Sequence, residues 1–297
     1  MVRFPDRSSG LLTPRAANCE DASVGDSRST YAHIRFEVRD RVAVATLDRP
    51  EVLNALDAEL RDDILRLADD VRNDDEIRAL VVTGEGRGFC SGADLSRGRP
   101  GGERELSQNE RLDEWGWVGR QALALHGIDK PTIAAVEGFA VGVGWSLVLA
   151  CDLVISANDA FFSAPFTERG LVPDGGAAWL LVRRLGHHRA ASAVLLGERL
   201  SATAAAQQGI VSRLVDPGMA EAEAVASAAL LANRSGDALR LAKDLMREAP
   251  EVSFDGFLGR ELLAAALAAG GPDAKEGRAA FAQGRAPRYQ TGVEFTS

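Results

Sequence analysis

Glycine-rich turns that directly follow short apolar runs constrain the fold of this chain more than any other feature of its sequence. The apolar run from Pro131 to Val136 leads into glycines at positions 138, 142 and 144. The run from Ala79 to Thr83 leads in the same way into GEGRGFCSGADL, residues 84 to 95. Glycine has no Cβ, so the backbone can approach a ligand closely at such turns. Two such turns can supply two N–H donors to one negatively charged oxygen.

The composition excludes several classes of function. A net charge of −9 over 297 residues argues against binding to nucleic acid, because phosphate contacts need clustered Lys and Arg. The three cysteines, at 19, 90 and 151, lack the spacing of a zinc site or a disulfide framework, and the histidines form no metal-binding motif, so we expect no metal and a cytoplasmic protein. Glu137 and glycines interrupt the longest apolar stretch, so we expect no membrane span.

Hydrophobic periodicity predicts an α/β fold followed by helices. Strands are predicted at 33–38, 42–47, 78–83, 132–136, near 153 and 161, and at 210–215. Helices are predicted at 54–71, 106–126, 144–151 and 177–185, with two short ones within 189–208, and then at 219–233, 237–247, 254–269 and 273–282. The chain is therefore predicted to have a flexible N-terminal extension (residues 1–30), an α/β core (31–216) and a C-terminal helical region (217–297).

Five segments together resemble the enoyl-CoA hydratase/isomerase (crotonase) family. In chain order they are RPEVLNALD (49–57), GFCSGADL (88–95), KPTIAAVEGFAVGVGWSL (130–147), ACDLVI (150–155) and GLVPDGG (170–176). The resemblance implies a crotonase-like spiral core of repeated β-β-α turns with a C-terminal helical layer. It also implies an acyl-CoA thioester as substrate, with coenzyme A as part of that substrate and no permanently bound cofactor, and assembly as a homotrimer or hexamer.

The resemblance assigns two backbone groups to the thioester. By position, the N–H groups of Ala93 and Val143 match the family's two donors to the thioester carbonyl. Two fixed dipoles on that carbonyl make a proton on the adjacent carbon removable, because an enolate can form. The residues that the resemblance places around the substrate or its coenzyme A are Val52, Leu53, Asp94, Leu95, Gly142, Arg285 and Arg288. For Arg285 and Arg288, solvated surface charge is an equally good interpretation.

The acidic residues differ from those of the family's hydratases. Hydratases have two glutamates at the positions that Ser146 and Phe166 occupy here. The remaining acid in the motif is Asp174, at a position where several isomerising relatives carry an acid. One carboxylate is enough for a 1,3-proton shift. We therefore expect an acyl-CoA isomerase in which Asp174 moves the proton.

Apolar neighbours are expected to change the pKa of Asp174. Phe166, Val172, Trp145 and Trp179 are expected to flank Asp174 and to raise its pKa by excluding water. An apolar acyl pocket is also suggested by Trp115, Trp117, Trp145 and Phe166, although core packing explains these side chains equally well.

Several alternatives stay open at this stage. Asp174 also suits the cap of the following helix, and Glu168 is a second candidate acid that a hydratase would use. Ser146 lies in a partial nucleophile-elbow motif, and we expect it to bind substrate or water rather than to attack. An acyl-CoA-binding protein without catalysis and a thioester hydrolase are the remaining hypotheses.

Overall fold

Two β-sheets organise the computed structural model of the chain, which describes residues 30–96, 108 and 112–289. The strands are β1 Ile34–Arg39, β2 Val42–Leu47, β3 Ala79–Gly84, β4 Thr132–Val136, β5 Phe139–Val141, β6 Leu153–Ala157, β7 Phe161–Ser163, β8 Leu200–Ser201 and β9 Arg213–Val215. The larger sheet has the order β1-β2-β3-β4-β6-β9 and is parallel apart from β1. The smaller sheet has the order β5-β7-β8.

Helices cover the sheets and continue to the C-terminal end of the described residues. They are α1 Ala58–Asn73, α2 Gly116–His126, α3 Val143–Ala150, α4 Ala177–Leu185, α5 His187–Leu195, α6 Ala202–Gln207, α7 Ala220–Ala232, α8 Gly236–Glu248, α9 Phe254–Gly270 and α10 Pro272–Gln283. Two short 3₁₀ turns lie at Pro50–Val52 and Thr167–Arg169. Among the helices of the described residues, none combines the length and hydropathy of a bilayer crossing.

The strands alternate between the two sheets in a repeated pattern. The units β4-β5-α3 and β6-β7-α4 each give one strand to the larger sheet and the next strand to the smaller one. Their equivalent strands pair in parallel, β4 with β6 and β5 with β7. The described residues therefore contain the stacked β-β-α turns that were predicted, and the α/β class is confirmed.

The parallel sheet is buried on both faces, which explains why its strands read as continuous apolar runs. On one face, α1 buries Leu60, Ile64 and Leu67 in the main hydrophobic core. On the other face, α7 packs an alanine stripe against β3, β4 and β6, and small side chains at four-residue spacing let this helix lie close to the sheet. The first helix of the predicted C-terminal region thus packs directly on the sheet.

Local backbone geometry shifts some predicted boundaries. Helix α1 begins at Ala58 rather than at 54, because Leu53 and Asn54 adopt left-handed conformations and the Asp57 carboxylate accepts a hydrogen bond from the Leu60 N–H (2.9 Å). The helix predicted at 106–126 is observed from Gly116 within the described residues. Strands β5 and β8 are short and were not predicted. Residues 1–29, nearly all of the predicted N-terminal extension, lie outside the described residues.

Candidate active site

A cavity of about 230 Å³ lies where the two glycine turns meet the segment that follows β7. Small residues of the two glycine turns and larger apolar residues both contribute to its lining. The lining residues are Ser91, Gly92, Ala93, Leu95, Val141, Gly142, Val143, Pro165, Phe166, Arg169, Leu171 and Asp174.

The two glycine turns are in direct contact at this cavity. Gly92 has φ +101°, and a Cβ placed on it would lie 2.9 Å from the Val141 carbonyl oxygen and 3.7 Å from the Gly142 Cα. The segment after β3 also pairs with β5, where the Val141 N–H donates to the Cys90 carbonyl (2.9 Å). Only a glycine at position 92 lets the two backbones come this close.

The N–H groups of Ala93 and Val143 are both available at the cavity. Leu56 pairs with the neighbours of Ala93, since its N–H donates to the Gly92 carbonyl (2.8 Å) and its carbonyl accepts from the Asp94 N–H (2.9 Å). This pairing leaves the N–H of Ala93 itself directed away from Leu56. Val143 is the first residue of α3, where an N–H has no acceptor within the helix. Neither N–H has an acceptor among the described residues.

A buried asparagine fastens the loop that carries Ala93. The Asn54 side chain is fully buried, and its Nδ2 lies 2.9, 3.0 and 3.2 Å from the carbonyl oxygens of Glu85, Gly88 and Phe89. Its Oδ1 accepts a hydrogen bond from the Arg49 N–H (2.9 Å). The asparagine therefore ties the turn after β2 to the loop after β3. Sequence reasoning gave it no role, although asparagine is a residue that tolerates its left-handed φ of +56°.

Arg49 joins the same two loops by charge. Its Nη2 lies 3.0 Å from an Asp57 carboxylate oxygen and 3.5 Å from an Asp94 carboxylate oxygen. The Ser96 hydroxyl donates to Asp94 (2.6 Å), and this bond, together with Arg49, lowers the pKa of Asp94. Asp94 does not line the cavity, and its carboxylate contacts Ser96 of its own loop and Arg49 of the turn after β2.

Asp174 lines the cavity and is partly buried. Oδ1 is buried and has no hydrogen-bond partner among the described residues. Burial raises the pKa of Asp174, and a hydrogen bond from its own N–H opposes this increase. Helix α4 begins after Gly176, with no capping bond from a side chain. The geometry therefore does not place Asp174 as the cap of α4.

The other acid near this segment faces elsewhere. The Glu168 carboxylate lies against Gly197, on a 3₁₀ turn whose Thr167 hydroxyl is bonded to the end of α5. Glu168 does not line the cavity. Asp174 is thus the one acidic side chain among the described lining residues.

The predicted aromatic surroundings of Asp174 are only partly observed. Phe166 lines the cavity, with its ring near Gly142. Trp145 does not line it, because this side chain points into the core and packs against Phe162 with ring centroids 5.7 Å apart. Val172 is 78% exposed, and Trp179 is half exposed beneath Arg183, so neither forms a wall.

Ser146 is buried and holds the Asp174 turn against α3. Its hydroxyl donates to the Asp174 carbonyl oxygen (3.1 Å), and Gly175 packs directly on its Cβ. This hydroxyl is not among the groups that line the cavity. The expected contact between Ser146 and substrate or water is therefore not visible in the geometry.

The residues expected to contact coenzyme A are dispersed. Leu95 lines the cavity, whereas Val52 and Leu53 do not. The Leu53 carbonyl accepts a hydrogen bond from the N–H of Ser91, which does line it (3.0 Å). Arg285 forms an ion pair with Glu276 (2.6 Å), and the Arg288 N–H donates to the same carboxylate (2.7 Å). Neither arginine lines the cavity.

One cluster has atoms close enough to hold a metal ion. A ring nitrogen of His33 and carboxylate oxygens of Asp57 and Glu59 lie within 4.8 Å of one another. Asp57 already caps α1 and pairs with Arg49, so helix capping and ion pairing account for the cluster.

Known proteins of similar sequence show the family of this chain. The enoyl-CoA hydratase/isomerase family model matches residues 37–292. The chain belongs to this family. It is 34% identical over 262 residues to a probable enoyl-CoA hydratase of Mycobacterium bovis, covering 88% of this chain and 98% of the relative. It is 35% identical over 261 residues to the 1,2-epoxyphenylacetyl-CoA isomerase of Escherichia coli K12, covering 86% and 97%.

Solved structures of this family confirm the fold. The chain superposes on the crystal structure of a putative enoyl-CoA hydratase from Streptomyces coelicolor with a TM-score of 0.82 at 32% identity, covering 91% of this chain and 98% of the other. The crotonase fold that the family resemblance implied is therefore confirmed, and the protein is an enzyme of the enoyl-CoA hydratase/isomerase family.

Leu171 and Arg169 are the lining residues that sequence reasoning missed most clearly. They belong to the short segment between Phe166 and Asp174, where no periodic pattern indicates which side chains face inward. Arg169 matters most, because it brings a positive charge to the cavity.

Proposed function

We propose that this family member is an acyl-CoA isomerase that moves a proton through a thioester enolate. The N–H groups of Ala93 and Val143 bind the thioester oxygen, and Asp174 is the acid–base residue. The observation that carries the proposal is Asp174 itself, a partly buried acid with a raised pKa that shares one cavity with both backbone donors.

The reaction follows from these three groups. The Asp174 carboxylate removes a proton from the carbon next to the thioester of a 3-enoyl-CoA, and the electron pair delocalises onto the oxygen as an enolate. The two N–H donors stabilise that charge, an effect worth about 10²- to 10³-fold in rate for each donor. The electron pair then returns as a double bond next to the thioester, the original double bond takes the proton from Asp174 two carbons further along, and the carboxylate is regenerated.

A raised pKa suits this role. A carboxyl group that both takes and returns a proton works best when its pKa lies closer to the working pH than that of an ordinary aspartate. Burial of Asp174 shifts the pKa in that direction. Oδ1 is buried and has no hydrogen-bond partner within the described residues, so no internal hydrogen bond to this oxygen has to break before the carboxylate takes a proton.

Hydration is the second candidate function, because several relatives are named as hydratases. Besides the Mycobacterium bovis protein, Escherichia coli 2,3-dehydroadipyl-CoA hydratase is 33% identical over 255 residues. Water addition needs one group to activate water and one to deliver a proton to the neighbouring carbon. The family's two hydratase positions are Ser146 and Phe166 here, and Glu168 faces away from the cavity. These features favour isomerisation.

The test compares two matched variants on both reactions. Asp174→Asn should reduce the conversion of 3-enoyl-CoA into conjugated 2-enoyl-CoA by about 10²- to 10⁴-fold, while coenzyme A binding is retained. Glu168→Gln is the control and should isomerise normally. If instead the wild type consumes 2-enoyl-CoA by adding water and Glu168→Gln stops this, the protein is a hydratase. Tight acyl-CoA binding without turnover, or release of free thiol, would contradict isomerisation in favour of a binding protein or a hydrolase.

We also propose that the protein assembles as a homotrimer or hexamer. Helix α9 has no buried residue in the single chain, and Phe254, Leu262, Leu263 and Leu267 are each more than two-thirds exposed. An apolar surface of this kind suits contact with another copy. Light scattering should give three or six times the chain mass, and a monomer would contradict the proposal.

A further inference from the structure

The cavity holds two ionisable side chains among the described residues, and the mechanism uses only one of them. Asp174 is the acid, and Arg169 is the other. A positive charge is not needed to stabilise the enolate, because two backbone N–H groups already serve the thioester oxygen. Arg169 lines the cavity from an exposed position, and the mechanism gives its charge no role.

Arg169 has no acidic partner in the described part of the chain. Its Nη1 donates one hydrogen bond, to the Pro165 carbonyl oxygen (3.1 Å). Arginines such as Arg183 and Arg285 pair with nearby glutamates, at 2.5 and 2.6 Å. Glu168, next to Arg169 in the chain, lies against Gly197 instead. Because a guanidinium has five N–H donors, most of those on Arg169 stay available to a ligand.

The backbone around Arg169 is fixed in place. The Arg169 N–H donates to the Phe166 carbonyl (3.0 Å), and the Leu171 N–H donates to the same oxygen (2.9 Å). The Thr167 hydroxyl donates to the carbonyl oxygen of Val194 at the end of α5 (3.1 Å). The turn that carries the guanidinium is thus closed by its own hydrogen bonds and tied to α5, which reduces the backbone ordering cost of binding an anion.

We infer that Arg169 binds a carboxylate carried on the acyl chain of the substrate, so that the protein prefers acyl-CoA thioesters with a second, anionic end. The inference rests on the proposed function, because it takes an acyl-CoA as the ligand. A planar guanidinium matches a carboxylate with two parallel hydrogen bonds. The apolar side chains of Phe166 and Leu171 beside it suit the methylene groups between the two ends.

Coenzyme A offers a second source of negative charge in its phosphates. The cavity favours the acyl carboxylate, since 230 Å³ is below the range of about 300–1,000 Å³ of sites that enclose a whole drug-sized ligand. A space of this size suits the acyl group. Arg169 also lies on the segment that carries Asp174, which acts on the acyl carbons.

The experiment measures binding of saturated acyl-CoAs, which have no double bond to move. Matched pairs of equal chain length, one ending in methyl and one in carboxylate, are titrated calorimetrically over a series of lengths, together with free coenzyme A. The proteins are the wild type, Arg169→Gln, Arg169→Lys and the control Arg189→Gln, which alters an exposed arginine of α5 outside the cavity.

At the best length, the wild type should bind the carboxylate-ended ligand at least about tenfold more tightly than its methyl-ended partner. Arg169→Gln should abolish this preference, Arg169→Lys should keep part of it, and Arg189→Gln should keep all of it. A preference that is absent from the wild type at every length, or that survives in Arg169→Gln, overturns the inference.

Two further outcomes can be distinguished from loss of the carboxylate preference. If Arg169→Gln weakens free coenzyme A and both acyl-CoAs equally, the arginine binds a phosphate and the carboxylate assignment is wrong. If the wild type binds no acyl-CoA at all, the proposed function fails as well.

Discussion

Replacing Gly92 by alanine tests whether the contact between the two glycine turns sets up the active site. The new Cβ would stand 2.9 Å from the Val141 carbonyl oxygen, closer than Cβ atoms normally approach, so one turn must move by a few tenths of an ångström. The turns carry Ala93 and Val143 on either side of this contact. Because an oxyanion donor is worth about 10²- to 10³-fold in rate, we expect kcat to fall by about 100-fold.

The matched control separates this displacement from backbone strain. Gly209 has φ +79° and open space around it, so Gly209→Ala introduces a left-handed alanine without a clash. Each substitution should cost about 1–2 kcal/mol of stability from strain alone, measured by urea denaturation. Turnover of a 3-enoyl-CoA should fall in Gly92→Ala and persist in Gly209→Ala. Equal kcat values in the two variants would refute the role of the contact.

Two predictions concern stability. Because burial raises the folded-state pKa of Asp174, its contribution to stability is present below the ordinary carboxyl pKa and is lost as pH rises through the raised value. Asp174→Asn should therefore match the wild type in free energy of unfolding at acid pH and exceed it at mildly alkaline pH, and a pH-independent difference would contradict this reasoning. Asn54→Ala removes contacts to three carbonyls and one N–H, so it should cost about 4 kcal/mol in urea denaturation at roughly 1 kcal/mol for each of the four contacts. Asn54→Gly avoids the left-handed strain and should be about 1 kcal/mol less destabilised, whereas wild-type stability in both variants would be inconsistent with the role of Asn54.

Local signals in the sequence were enough to locate the two glycine turns, and the family resemblance of the motif that contains it drew attention to the acid at 174. Turn residues, apolar runs and the motif GLVPDGG act over a few positions, so their meaning does not depend on distant packing. The same holds for β2 and β3, which were predicted at 42–47 and 78–83 and are observed as neighbouring parallel strands.

Features that depend on tertiary contacts were not predictable from the sequence. Every residue of α3 is buried, so its sequence has no polar face from which the orientation of the helix could be predicted. The contact of Trp145 with Phe162, rather than with the cavity, was therefore not predictable. Asn54 meets carbonyls more than thirty positions away. Arg169 lies in a segment without regular periodicity, and only the folded chain shows that it faces the cavity.

The transfer of a labelled hydrogen tests the central claim most directly, because a single carboxylate that removes a proton can return the same one. A 3-enoyl-CoA deuterated at the carbon next to the thioester is converted in ordinary water, and the product is analysed by mass spectrometry and NMR. The account predicts that part of the deuterium appears two carbons further along in the wild type and that Asp174→Asn gives no conversion. Three results would contradict the account: no deuterium at the carbon two positions further along in the wild-type product, a hydroxylated product, or normal turnover by Asp174→Asn.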